Sequence, residues 1–213
     1  LDTEINPSLI TAGCGALGSK IAMHLVRSGI TNILFCDPDY LSDHNLCRHA
    51  LLDKSVYKNK ASEMRSATNL IYYHEMLKAD ASCRGIKTIL GDAEIMSKRT
   101  PDYLLDFTAS KVAHNQLVNI KNRPTAISAA IFDNGKFGLL MSEGNNGEVR
   151  LDDVMAAFFA QYKTDSIVSS YLMREKELSR EPSSLLNVGL GCNSETFILA
   201  DDIISLYAAS MSV

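Results

Sequence analysis

SLITAGCGALGSKIAMHLVRSGITNILFCDPD, residues 8–39, with NLCRH at 45–49 close behind, decides the fold of this chain. It contains an apolar run, a turn with Gly13, Gly15 and Gly18, an amphipathic segment, and a second apolar run that ends at Asp37. In such a turn one glycine bends the chain sharply after a strand. Another lets backbone N–H groups approach phosphate oxygens at the positive end of the following helix, and the third lets helix and strand pack closely. The surroundings agree. Leu9 to Ala12 is a short buried-strand candidate, and Leu17, Ile21, Leu25 and Val26 recur at helical spacing up to Gly29, a C-terminal cap signal. Ile33 to Cys36 is the second strand, and Asp37 stands at the distance of about 20 residues where a nucleotide-binding unit places an acid against ribose hydroxyls. Glycines serving only a tight turn would leave that spacing unexplained.

The residues after this acid separate two kinds of nucleotide chemistry. Asp39, Asn45, Arg48 and Lys60 come next. A nicotinamide-binding domain needs none of them, because its hydride chemistry happens at the far end of the cofactor. Cleaving ATP between its α and β phosphates builds charge on pyrophosphate, which Arg and Lys aimed at the phosphates stabilise.

The series Gly13-x-Gly15-x-x-Gly18, Asp37-x-Asp39, Asn45-Leu46-x-Arg48, Lys60 and Asp106 resembles the E1-like, ThiF- and MoeB-type adenylating enzymes. These include ubiquitin-activating enzymes and the bacterial activators of sulfur-carrier proteins, and the likeness covers most of the chain. The resemblance implies that the glycine turn holds the ATP phosphates and Asp37 the ribose. It assigns Asn45, Arg48 and Lys60 to the phosphates and to the α-phosphorus under attack, and Asp106 to Mg²⁺. It also implies a small β-grasp partner, ubiquitin-like or sulfur-carrying, whose C-terminal carboxylate is adenylated, and a homodimer. Family members carry helices before the first strand that supply an arginine to the partner subunit's ATP. With only Leu1 to Pro7 ahead of that strand, the expectation is a single adenylation domain over 1–213, cut from a longer chain.

Composition bounds the rest. The 213 residues suit one domain with a substantial core. A net charge of −4 with 46% apolar residues points neither to disorder nor to bulk nucleic-acid binding. No apolar run reaches the ~20 residues of a membrane helix, and a cytoplasmic protein is expected. The five cysteines are odd in number and scattered, unlike a disulfide framework. There is no C-x-x-C pair, so no zinc is expected.

Further along, Ala61, Met64, Ala67, Leu70 and Ile71 mark a helix with Lys60 at its entry. Ile86 to Leu90 and Tyr103 to Phe107 read as strands. Asp106 ends the latter, where a parallel sheet opens its ligand crevice; the alternative is an N-cap for the helix near Ser110. Lys111 to Ile120 is helical. Thr125 to Phe132 and Lys136 to Met141 flank Asp133-Asn134-Gly135, a type I′ hairpin signal. Asp152 to Tyr162 is an apolar helix whose Phe158 and Phe159 suit the core.

Lys163 to Ser184 reads as a mobile segment, a candidate for part of the family's crossover loop or a surface loop with a short helix. Leu185 to Leu190 is a last strand candidate, followed by Cys192, Ser194 as N-cap and a helix to Ser210. A thiol just before a helix N-terminus has its thiolate favoured, which makes Cys192 a candidate acceptor for the activated partner. G-C-N-S-E-T resembles G-C-x-S-x-T of the fused bacterial E1-like branch; the competing reading is a buried structural thiol.

The fold expected is α/β: a Rossmann-like, mostly parallel sheet with helices on both faces and an added antiparallel hairpin. The leading function is ATP-dependent adenylation of a protein's C-terminal carboxylate, with later transfer to a cysteine as an open step. The alternatives are an NAD-dependent oxidoreductase and a catalytically inactive E1-like binding module.

Overall fold

Leu9–Ala12 forms β1 and Ile33–Cys36 forms β2, and every residue of both is buried. Strands that read as continuous apolar runs need cover on both faces, the condition of a parallel sheet between helical layers. The computed structural model describes residues 6–72, 79–144, 147–178 and 199–212. In it α1 (Ala16–Arg27) connects β1 to β2, which pair in parallel with Leu9 opposite Ile33 and Ala12 opposite Cys36. There follow α2 (Lys60–Thr68), β3 (Asp80–Ser82), α3 (Ile86–Leu90), α4 (Ala93–Arg99) and β4 (Tyr103–Asp106). Next come α5 (Lys111–Asn119), β5 (Thr125–Phe132), β6 (Phe137–Ser142), α6 (Leu151–Ala160), α7 (Ser166–Leu178) and α8 (Asp201–Met211).

The sheet runs β3-β2-β1-β4-β5-β6 and is parallel except for the antiparallel pair β5–β6. This is the Rossmann-like sheet with an added hairpin that the apolar runs predict. Side chains alternate across it. Leu9, Ile33 and Phe35 pack with Ile21 and Val26 of α1 and Met64 of α2. Ile10, Leu34 and Leu104 turn the other way, onto Ile86 and Ile89 of α3 and Leu117 of α5. On the first face α8 lies against α1, with Ala208 in the core and Ile204 against Ala16 and Ile131.

Chain order positions the site. From β1 the chain moves outward to β2 and β3, then returns to the other side of β1 as β4. Connections diverge there, leaving a crevice at the C-terminal ends of β1 and β4. Register places Ala12 between Cys36 and Asp106, so Gly13, Asp37 and Phe107 all leave the sheet at one level.

Three expectations are corrected. Ile86–Leu90 is helix α3, and the third strand is the preceding Asp80–Ser82. Ile86 and Ile89 are buried, an i, i+3 spacing that suits one helix face, whereas β3 is a short polar edge strand with no apolar signature. The hairpin is wider than a two-residue turn: Phe132 pairs with Phe137, leaving residues 133–136 as its loop. Asp133, Asn134 and Gly135 all have positive φ, and Arg174 of α7 holds the Asp133 carboxylate. The expected mobile segment from Lys163 is helical over Ser166–Leu178, because Tyr171 is buried against Phe132, Phe137 and Phe159. Leu185 to Leu190, Cys192 and Ser194 lie outside the described residues.

Candidate active site

Gly13 carries the chain out of β1 with φ +91°, and a Cβ there would lie 2.9 Å from the Phe107 carbonyl carbon. Gly18, one turn into α1, leaves even less room: a Cβ would stand 2.3 Å from the Gly13 carbonyl oxygen. Both glycines are therefore required by close packing of the turn, the helix and the end of β4. Gly15 takes the N-cap position of α1, whose first turn has no acidic residue and no capping side chain. The first N–H groups of a helix carry its positive partial charge, so a helix start beside a crevice favours an anion.

The crevice next to the turn has a volume of about 500 Å³. Gly13, Gly15, Asp37, Asp39 and Lys60 line one side, and Thr108 and Gln116 the other. Asp37 is braced from within: its Oδ2 accepts the Cys14 N–H at 2.7 Å and its Oδ1 the Asp39 N–H at 2.8 Å. Burial pushes its carboxyl up from the ordinary aspartate range, against these two donors and Lys60. Asn59, which the sequence pattern did not single out, donates to the carbonyls of Asp37 and Asp39 and caps α2 by accepting from Ser62. An Asn directly before a helical pattern is an N-cap signal, so that much was available locally.

Lys60 opens α2 and is only 2% exposed, with Nζ 3.5 Å from the half-exposed Asp39. A cation at a helix start opposes the helix dipole, and an anion nearby removes the conflict. Lys60 also packs, with Gly15, Asn45, Arg48 and His49, around a second recess too narrow to admit a water molecule. Arg48 is buried and has no carboxylate partner among the described residues; its Nη1 donates to Cys47 Sγ at 3.8 Å. Asn45 is buried too, and its Oδ1 accepts the Ser42 N–H at 3.0 Å, closing the short turn that presents Arg48.

Asp106 ends β4, 3% exposed. Its Oδ1 accepts from the Thr108 N–H at 3.0 Å and hydroxyl at 2.7 Å, while Oδ2 has no hydrogen bond among the described residues. Burial raises its pKa, and the two bonds from Thr108 oppose the rise. Ser110 caps α5, so that role does not fall to Asp106. Phe107 and Thr108 line the crevice; Asp106 does not.

Among the thiols, burial pushes Cys14 well up and Cys36 to about 12, so neither offers a thiolate at neutral pH. Cys47 and Cys83 are exposed. Cys192 lies outside the described residues.

His49 was unassigned in the sequence. It is buried, with Nε2 2.6 Å from the Cys14 carbonyl oxygen and Nδ1 accepting the Leu51 N–H at 3.0 Å. No local pattern could announce this, since Cys14 is 35 residues away.

A model of the ThiF family matches residues 6–146, the span from just before β1 to just past β6. The chain belongs to the ThiF family. It is 34% identical over 103 residues to the ATP-dependent ubiquitin transferase-like protein Cap2 of Enterobacter hormaechei subsp. hoffmannii (strain UCI 50). That alignment spans 47% of this chain and 16% of Cap2. Among solved structures, E. coli MccB with ATP superimposes over 99% of this chain and 55% of MccB, at 16% identity and a TM-score of 0.57. MccB with AMPCPP and MccA gives 18% identity and 0.59 over 99% and 55%. E. coli TcdA, the tRNA N6-threonylcarbamoyladenosine dehydratase, solved with AMP, covers 97% of this chain and 83% of its own at 16% identity and 0.59. At these identities the likeness is one of fold. The chain thus spans about half of MccB and a far smaller part of Cap2.

Proposed function

We propose that this ThiF-family chain binds ATP in the crevice beside the glycine turn and adenylates the C-terminal carboxylate of a small protein, ubiquitin-like or sulfur-carrying. Arg48 carries this reading. A buried guanidinium with no carboxylate partner among the described residues, bordering one recess with Lys60 and the N-terminus of α1, is costly without an anion. A triphosphate in the adjoining crevice, which Gly15 and Lys60 also line, supplies that anion. An NAD-dependent oxidoreductase would use Asp37 equally well but gives no task to Arg48 and Lys60.

The carboxylate of the partner attacks the α-phosphorus, the bond to the bridging oxygen breaks, and pyrophosphate leaves with the electron pair. The attacking carboxylate is already ionised at neutral pH, so no general base is needed. The chain's own work is positioning and charge stabilisation. The N–H groups of the turn and of α1 orient the phosphates, Asp37 meets the ribose with Asp39 beside it, and Arg48, Lys60 and Asn45 hold the reacting phosphates.

Asp106, next to the crevice-lining Phe107 and with no hydrogen bond to Oδ2 among the described residues, suits Mg²⁺, since that ion takes one or two carboxylates and completes its shell with phosphate oxygens and water. When bound it neutralises charge on the phosphates. Among the described residues no cluster of three His, Cys, Asp or Glu side chains offers an all-protein site.

Calorimetric titration with ATP·Mg²⁺ and, in parallel, NAD tests the reading. ATP binding that weakens at least about tenfold in Lys60→Ala supports it, the loss expected of one charge-assisted contact. Binding of NAD alone overturns it. Asp106→Ala is expected to lose the Mg²⁺-dependent part of ATP binding while keeping its circular dichroism spectrum; unchanged binding removes Asp106 from the site. Transfer to Cys192 and action as a homodimer are extensions of the same proposal. Cys192→Ser should block a covalent partner adduct and spare pyrophosphate release, whereas a surviving adduct points to the exposed Cys47.

A further inference from the structure

The two peptides that flank the Cys14 α-carbon are each held by a side chain from another part of the chain. Asp37, at the end of β2, takes the Cys14 N–H. His49, in the loop that carries Arg48, takes the Cys14 carbonyl oxygen at 2.6 Å. The tautomer is set by the neighbours: the Leu51 N–H donates to Nδ1, so the ring proton is on Nε2 and is donated to Cys14. A second bond staples the same loop to α1, because the Ala50 N–H donates to the Ser19 hydroxyl, itself buried and bonded to the Ala16 carbonyl.

We propose that His49 is a positioning residue for phosphate binding: by holding the Cys14 carbonyl it turns the Gly15 N–H toward the anion. The inference rests on the ATP reading above. A peptide unit is planar and trans, so its C=O and N–H point in opposite directions. With the carbonyl tied to His49, the Gly15 N–H is directed away from the imidazole. It has no partner among the described residues, and Gly15 lines the crevice. His49 touches no phosphate itself; it acts through the turn. It also fixes the Arg48 loop to the turn, so that the cation and the N–H donors are set at one mutual distance.

This role requires the neutral ring. A proton on Nδ1 would confront the Leu51 N–H donor, and the charged groups facing His49 are Lys60 of α2, Lys20 of α1 and adjacent Arg48, all opposed to a second positive charge. Burial and these cations bring the ring down to about 4, against the bond to Cys14.

The test compares ATP with adenosine, which lacks the phosphates, in wild type, His49→Ala and His49→Gln at about neutral pH. His49→Ala should weaken ATP about tenfold, the size of one well-placed hydrogen bond, and change adenosine less than about twofold. The Gln amide can donate to the same carbonyl and should restore most of the loss. Equal weakening of both ligands, or none, overturns the proposal.

Where His49→Ala does not fold, the ratio of wild-type to His49→Gln affinity for ATP against pH decides, since ATP's own titration cancels. That ratio should hold from neutral pH down to about 5 and decline as pH falls through about 4, where the imidazole of the folded chain takes up its proton. A flat ratio overturns the inference. A wild-type chain that binds adenosine and ATP equally well also overturns it, while one that binds neither removes the ATP reading beneath it.

Discussion

Arg48 and Lys60 are expensive residues to bury, and the fold buries both beside the start of the same helix. Such an arrangement makes sense in the presence of an anion and is unfavourable without one. Phosphate should therefore raise thermal stability. Excess ATP at about 100 times its dissociation constant is expected to add about 2.7 kcal/mol by mass action, and Arg48→Ala should abolish most of that shift in a thermal melt. Gly18 sets a steric limit rather than an electrostatic one. Its missing Cβ would stand 2.3 Å from the Gly13 oxygen and 2.9 Å from Phe107 Cβ. Gly18→Ala is expected to cost about 1–3 kcal/mol in urea unfolding, since neither obstacle is a flexible side-chain end.

His49 sets a pH window. Its folded value is about 4 and its unfolded value near 6.5, so between the two only the unfolded chain takes up the proton. The neutral ring's contribution is complete above about pH 6.5 and is lost as pH falls toward 4, on the order of 3 kcal/mol. Urea unfolding across that range should show a shallower slope in His49→Gln than in wild type.

Elements were legible where their chemistry is local. The short, mostly apolar strands β1, β2 and β4, the helical spacing in α1 and the Lys60 entry of α2 all stand where the pattern puts them. The pattern failed at β3, an edge strand with no apolar residue longer than alanine, and at α3, whose five residues are too few for periodicity to separate helix from strand. It failed again at α7. The sequence there mixes charges and serines, and the helix is held by partners elsewhere: Tyr171 in a cluster with Phe132, Phe137 and Phe159, and Arg174 on Asp133. Arg174→Met should leave the buried Asp133 carboxylate with only Lys136, at 3.6 Å, among the described residues and destabilise the hairpin loop by about 1–3 kcal/mol, read as faster amide hydrogen exchange over residues 133–136.

At the scale of the molecule, one buried ion pair ties the far side of the sheet together. Arg123 grips Glu143 through two bonds of 2.6 and 2.7 Å, and Glu143 also accepts the N–H groups of Ala126 at the start of β5 and Leu151 at the start of α6. Burial alone would raise the Glu143 pKa; the guanidinium and the two amides outweigh it and hold the carboxyl below its ordinary value. Stability from this group is thus present above the ordinary glutamate range and lost as pH falls through the depressed value. Glu143→Ala leaves Arg123 without its carboxylate and is expected to cost about 3–5 kcal/mol, measured by urea unfolding at neutral pH.

The sequence by itself determined the α/β class, the glycine turn, the order of acids and cations along the chain and the family they resemble, because each is written in spacing along a single stretch. Only the tertiary structure decided which of those residues meet. It set Arg48 and Lys60 at one recess, left Asp106 beside the crevice rather than on its wall, and brought His49 to a carbonyl 35 residues away. Those relations depend on strand order and loop packing, in which burial and hydrogen bonding join residues that no local pattern connects.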